Sequence, residues 1–232
     1  MEIGSSYDYE FLHRPDYGFL KVRLKAGQTI CVEASSMASM DTNIAMKTKM
    51  KGGVMASLKR GLLTGESVFI NEFTAENAPG ELMIAPGSIG DVTHYPLQEN
   101  KAIYLQSASY VASSPEVQID TKWGGVRGFF SGTGLFLVKA SGSGDLFFNS
   151  FGALIEVPVE EGYIIDTGYV VAFEETLQYH ITTLGGLKTT LLGGDGFVCH
   201  FTGKGRVWLQ TRKFYSFASW LWPFRPAPKR NH

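Results

Sequence analysis

Apolar and polar residues alternate with a period of two over much of the chain. Phe19-Leu-Lys-Val-Arg-Leu-Lys25 is the plainest case. It predicts a half-buried strand with an outer row of Lys21, Arg23 and Lys25. The pattern also repeats at longer range. Gly80-Glu-Leu-Met-Ile-Ala-Pro86, Gly144-Asp-Leu-Phe-Phe-Asn-Ser150 and Gly205-Arg-Val-Trp-Leu-Gln-Thr211 each read as a glycine, a charge, three apolar residues and a close. Ahead of them stand Gly65-Glu-Ser-Val-Phe-Ile70, Gly132-Thr-Gly-Leu-Phe-Leu137 and Gly194-Asp-Gly-Phe-Val-Cys199, which predict the preceding strands. In this alignment Cys199 falls opposite Ile70 and Leu137, and His200 opposite Asn71 and Val138. Gly142, Gly144, Gly203 and Gly205 are read as hairpin turns, where positive φ costs glycine little. Pro96 and Pro158 are read as strand starts.

Three copies of roughly 60–75 residues therefore make up the chain. The predicted class is all-β: three tandem β-sandwich-like repeats of stacked antiparallel sheets in one compact domain. A single strand pair cannot protect its apolar face alone, so the copies are expected to share a body. The divisions are a polar lead over 1–18, repeats over 19–95, 96–157 and 158–213, and a tail over 214–232. An edge strand is plausible in the lead, where Tyr7, Tyr9, Phe11 and Tyr17 interleave with polar residues.

Two stretches depart from the repeat. Residues 45–64 of the first copy form an insertion with cations at Lys47, Lys49, Lys51, Lys59 and Arg60 and no acid over Ala45–Arg60. It reads as a solvated loop or a contact surface for a membrane, a partner or an acidic ligand. The tail Phe214-Tyr-Ser-Phe-Ala-Ser-Trp-Leu-Trp-Pro-Phe224 places Phe214, Phe217 and Leu221 on one face of a short helix that Pro223 would stop. It is about half the ~20 residues needed to cross a bilayer. Phe217, Trp220, Leu221 and Trp222, followed by Arg225, suit packing on the protein or a membrane interface.

Composition narrows the classes further. Of 232 residues, 44% are hydrophobic and 13% aromatic, with 27 glycines, as in β proteins with many tight turns. The net charge of −1 argues against a general nucleic-acid binder. Two cysteines, Cys31 and Cys199, give neither a disulfide framework nor a metal spacing, which favours a reducing cytosolic compartment. The acidic start resembles no secretory leader.

No catalytic, cofactor or metal motif is found: no phosphate loop, serine elbow, Cys-x-x-Cys or His-Glu-x-x-His. His94, His180 and His200 are dispersed. The position of Glu81, Asp145 and Arg206 accepts either sign, which speaks against an acid–base role. Asp166 is read as fixing the turn that ends at Gly168, by accepting from nearby backbone N–H groups.

Gly61-Leu-Leu-Thr-Gly-Glu-Ser-Val-Phe69, Leu135-Phe-Leu137 with Gly144-Asp-Leu-Phe147, Asp166-Thr-Gly168 with Val171-Ala-Phe173, and Leu187-Lys188 with Gly193-Gly-Asp-Gly196 resemble the family named for altered inheritance of mitochondria, member twenty-four. The resemblance runs from about Phe19 to Thr211 and leaves out the tail. It implies stacked sheets similar to the subunit of the tryptophan RNA-binding attenuation protein, and a homo-oligomer, a trimer by preference. Mitochondrial members are linked to inner-membrane architecture and respiratory-complex integrity. The resemblance implies no catalytic or cofactor residue.

The expectation is thus a non-enzymatic oligomeric β-scaffold, cytosolic and peripheral to a membrane surface or membrane protein complex. A ligand- or RNA-binding ring using Lys21, Arg23 and Lys25 is the alternative, with RNA disfavoured by the charge balance. An enzyme with a site between subunits stands third.

Overall fold

The computed structural model of the chain describes residues 1–49, 70–120, 136–183 and 197–226. Among the described residues each repeat contributes six strands. The first gives β3 (Phe19–Leu24), β4 (Thr29–Glu33), β5 (Met37–Met40), β6 (Ile44–Lys49), β7 (Ile70–Ala75) and β8 (Gly80–Ile84). The second gives β9 (Val92–Leu97), β10 (Ala102–Gln106), β11 (Tyr110–Ser113), β12 (Gln118–Asp120), β13 (Leu137–Ser141) and β14 (Gly144–Asn149). The third gives β15 (Leu154–Val159), β16 (Gly162–Asp166), β17 (Val170–Glu174), β18 (Gln178–Thr183), β19 (Phe197–Thr202) and β20 (Gly205–Gln210). Two strands precede them, β1 (Glu2–Ile3) and β2 (Asp8–Leu12).

The strand orders are β1-β2-β3-β8-β5, β6-β7-β4-β11-β14-β9, β12-β13-β10-β17-β20-β15 and β16-β19-β18. Every repeat obeys one rule. Its first, sixth and third strands lie side by side in one sheet, and its second, fifth and fourth in the next. Each inner sheet is therefore half one repeat and half its successor. The halves meet where β4 pairs with β11 and where β10 pairs with β17.

Three buried clusters fix the stacking order. Leu20, Val22 and Leu82 of the first sheet pack with Ile30, Phe73 and Phe147 of the second. Tyr95, Leu146 and Phe148 of the second meet Ile103, Val138 and Trp208 of the third. Tyr104, Phe173 and Val207 of the third meet Ile165, Cys199 and Phe201 of the fourth. Strands of the inner sheets are apolar on both faces because both faces are covered: β10 and β11 are buried throughout.

Several expectations are corrected by this topology. The glycine turns at 142–144 and 203–205 are not hairpins. β13 lies in the third sheet and β14 in the second; β19 lies in the fourth and β20 in the third. These turns carry the chain between layers. Gly142 has φ 107°, and a Cβ there would stand 2.3 Å from the Glu116 carbonyl oxygen. Strand pairing sets Cys199 opposite Ile165, Val138 opposite Leu105 and Asn71 opposite Val32. The equivalents of Cys199 are thus Asn71 and Val138, one residue from the predicted alignment, and those of His200 are Glu72 and Lys139. The first two copies keep the predicted register; the slip lies in the third, because aligning Gly194 with Gly132 spaces the copies one residue farther apart than Gly205 and Gly144 do. Pro96 and Pro158 sit near the ends of β9 and β15, not at their starts. Both strands are sheet edges, where a missing N–H leaves no bond unmade.

Residues 1–18 are no mere lead. β2 pairs with β3 and extends the first sheet, and Tyr7 and Tyr9 are buried in its core.

Candidate functional site

One cross-strand position explains the sign changes seen in the sequence. Lys21 Nζ lies 2.8 Å from Glu81 Oε2, His94 Nε2 2.7 Å from Asp145 Oδ1, and Arg206 Nη1 3.4 Å from Glu156 Oε1. The residues come from the first and sixth strands of each repeat. The pair is kept while its members exchange sign, which a sequence read one strand at a time could not disclose. Lys21 is thus partnered and does not stand in a free cationic row.

In the second repeat this pair has become a buried clamp. Asp145 is fully buried. Its carboxylate accepts the backbone N–H groups of Ser5 (2.7 Å), Ser6 (2.7 Å) and Tyr7 (3.1 Å) as well as the His94 bond. Burial pushes the carboxyl upward, but the hydrogen bonds from His94, Ser6 and Ser5 outweigh it and hold the group below its ordinary value. Asp145 therefore fastens the N-terminal segment to the second repeat.

The turn from second to third strand is also braced alike in all copies. Ser36 Oγ donates to Glu33, Ser109 Oγ to Gln106, and Gly168 N–H to Asp166 Oδ1 at 2.8 Å. Asp166 carries a second load: Lys213 Nζ lies 2.5 Å from its other oxygen and 4.7 Å from the Tyr169 ring centroid. This anchors the start of α1 (Phe214–Leu221).

No residue of α1 is buried. Phe214, Tyr215, Trp220 and Leu221 are exposed, and so are Trp222 and Phe224 in the 3-10 turn that follows. Phe151 contacts Phe214 and Phe217 with ring centroids 6.1 and 5.4 Å apart. Arg225 lies 3.5 Å from the centroid of the Trp222 ring. Between the helix and the body runs an open groove of about 800 Å³, lined by Tyr17, Ile89, Phe151, Tyr169, Arg212 and Trp220 among others. Phe217 and Trp220 line this groove, whereas Leu221, Trp222 and Arg225 do not; all five belong to α1 or to the turn after it, which Arg225 caps.

Of the basic insertion, Lys47 and Lys49 are among the described residues, on β6 of the second sheet. Lys47 is an exposed residue of β6, and Lys49 ends that strand. Lys51, Lys59 and Arg60 lie outside the described residues.

Among the described residues no group of three or more His, Cys, Asp and Glu side chains has the arrangement of a metal site. His180 and His200 stack with centroids 4.7 Å apart on β18 and β19. Cys31 and Cys199 are buried and form no disulfide with each other, and burial pushes the Cys199 thiol up to about 12, away from thiolate chemistry. No helix among the described residues is long and apolar enough to cross a membrane. The surface of α1 and the turn after it thus consists of exposed aromatic rings, with Arg225 over the Trp222 ring.

Comparison with known proteins adds the lineage. An uncharacterised protein of Streptococcus pyogenes serotype M6 is 26% identical over 220 residues, covering 91% of this chain and 88% of its own length. A Streptococcus pyogenes protein solved by X-ray crystallography superposes with a TM-score of 0.78 at 25% identity, over 94% of this chain and all of that one. The family model described as "Mitochondrial biogenesis AIM24" matches residues 9–212, taking in β2 and leaving out α1. By that match over most of its length, the chain belongs to the AIM24 family.

Proposed function

We propose that the chain is a non-enzymatic, oligomeric β-scaffold that lies against a membrane surface through its C-terminal helix. One observation carries the reading. Exposed apolar residues of the described repeats are scattered, whereas α1 and the turn after it present Phe214, Trp220, Trp222 and Phe224 within eleven residues at 57–73% exposure. Patches of this kind mark contact surfaces. Tryptophan and phenylalanine next to cations match the headgroup boundary, where the ring enters the acyl edge and the cation stays with phosphate. Arg212 and Arg225 flank the helix, and each cation near an anionic leaflet contributes about 1 kcal/mol. The family description, which concerns mitochondrial biogenesis, is compatible with work at a membrane. The scaffold part rests on open strand edges that invite further copies; the family resemblance favours three.

Vesicle co-sedimentation tests the membrane half. The intact chain should pellet with vesicles containing phosphatidylserine, and a chain ending at Arg212 should remain in the supernatant. Equal, negligible pelleting of both would refute it.

A further inference from the structure

Two edges of the stack are built like edges that are already joined. Inside the chain, the second strand of one repeat pairs with the third strand of the next in a constant register. Val32 and Cys31 of β4 face Ala112 and Ser113 of β11. Leu105 and Tyr104 of β10 face Ala172 and Phe173 of β17. Counted from the strand starts, the fourth residue meets the third and the third meets the fourth in both joints. The last repeat has a second strand, β16, that ends its sheet, and the first has a third strand, β5, that ends its own. Among the described residues neither outer edge has a partner strand.

β5 also carries the mark of a joint strand. Its register against β8 shifts between Met37 and Ser39. The shifts in β11, between Tyr110 and Ala112, and in β17, between Val170 and Ala172, fall at the same place. Such a bulge re-aims a strand, and here it is kept in the one copy that has no predecessor to meet.

The side chains agree. At the β10–β17 joint, Tyr104 and Phe173 pack with ring centroids 5.1 Å apart. Their counterparts at the open edges, Ile164 and Met40, are 51% and 38% exposed. Most other edges are guarded: β9 and β15 carry Pro96 and Pro158, β6 carries Lys47 and Lys49, β12 has three residues and β1 two. β18 also lacks lysine and proline, but it is a fourth strand, and fourth strands join no neighbouring repeat inside the chain. Gly162-Tyr-Ile-Ile-Asp166 and Met37-Ala-Ser-Met40 contain no lysine and no proline.

We infer that β16 of one chain pairs antiparallel with β5 of a second copy, Ile165 opposite Ser39 and Ile164 opposite Met40, continuing the repeat rule between molecules. The inference deepens the oligomeric half of the proposed function and rests on it; it is independent of the membrane half. The contact is head-to-tail, so it closes into a ring if its rotation divides a full turn and otherwise runs on as a filament.

Directly opposed residues of antiparallel strands have Cα atoms about 4.5–5.5 Å apart, within reach of a disulfide. Ile164→Cys and Met40→Cys chains are purified separately, mixed, and oxidised. The mixture should give a covalent dimer that neither variant gives alone, and Ile155→Cys mixed with Met40→Cys should give none. Independently, Ile164→Lys should reduce the native mass to that of one chain without lowering the urea midpoint. Cross-linking by either cysteine variant alone would mean a two-fold contact and overturn the inference. A multimer that survives Ile164→Lys and yields no mixed cross-link overturns it too, while leaving the scaffold reading in place. A native mass of one chain at every concentration overturns both.

Discussion

Replacing Asp145 with asparagine tests whether a buried carboxylate holds the N-terminus to the second repeat. Oδ1 receives Ser5 N–H and His94, and Oδ2 receives Ser6 and Tyr7 N–H. An amide keeps the shape but offers one oxygen and one NH₂ group. Its least costly orientation turns the NH₂ toward Ser5, which is exposed, and toward His94, which can accept by changing tautomer. The oxygen then keeps Ser6 and Tyr7, whose bonds weaken from charge-assisted to neutral, about 1 kcal/mol each. Losing the His94–carboxylate attraction adds about 1 kcal/mol, and water repairs part of the Ser5 bond. The expected loss is about 2–4 kcal/mol at pH 7, read from urea unfolding followed by tryptophan fluorescence. The pH profile supplies a second readout. Because the folded carboxyl sits below its ordinary value, its stabilisation is fully present above the unfolded pKa of about 3.9 and disappears as pH falls through the lower folded value. The gap between wild type and variant should therefore narrow on acidification from pH 5 to pH 3. A loss under about 1 kcal/mol at pH 7, or a gap that does not change with pH, would refute the clamp.

Glu33 should behave in the opposite sense. Burial lifts its carboxyl from 4.5 to about 7, against the Ser36 hydrogen bond, so its ionisation destabilises the fold progressively above the ordinary value. Glu33→Gln should gain about 1–2 kcal/mol at pH 8 and nothing at pH 4.5; an equal effect at both would exclude the titration. Gly142→Ala should cost more than Gly203→Ala in thermal melts, since the new Cβ meets a carbonyl oxygen at 2.3 Å in the first case and 3.2 Å in the second. Equal losses would show that positive φ, 107° and 99°, governs both sites and the close approach does not.

The sixth strands were legible in the sequence because a glycine starts each of them: β8, β14 and β20 begin at Gly80, Gly144 and Gly205. All-β stacking followed from the threefold echo. The sheet crossings were not legible, because a glycine turn looks the same whether the next strand pairs with the last one or enters another layer. The role of Asp145 was hidden for a related reason. Its neighbour Pro96 and its partner His94 lie on a strand about fifty residues away, and the comparison of Glu81, Asp145 and Arg206 lacked the compensating residues Lys21, His94 and Glu156. Asp166 was readable as a turn acceptor from its spacing to Gly168; its bond to Lys213 was not, since it joins the last repeat to a tail outside the pattern.

Shared inner sheets also bear on how such a chain can change over generations. Loss of the middle copy would take β11, β14 and β9 from one layer and β12, β13 and β10 from the next, so β4 would have to meet β17 with side chains that have never faced each other. Drift inside a copy is held by side chains belonging to its neighbour, as Tyr104 is by Phe173. Duplicates tied together in this way diverge only as far as a neighbour's side chains allow, and each becomes less interchangeable with the others.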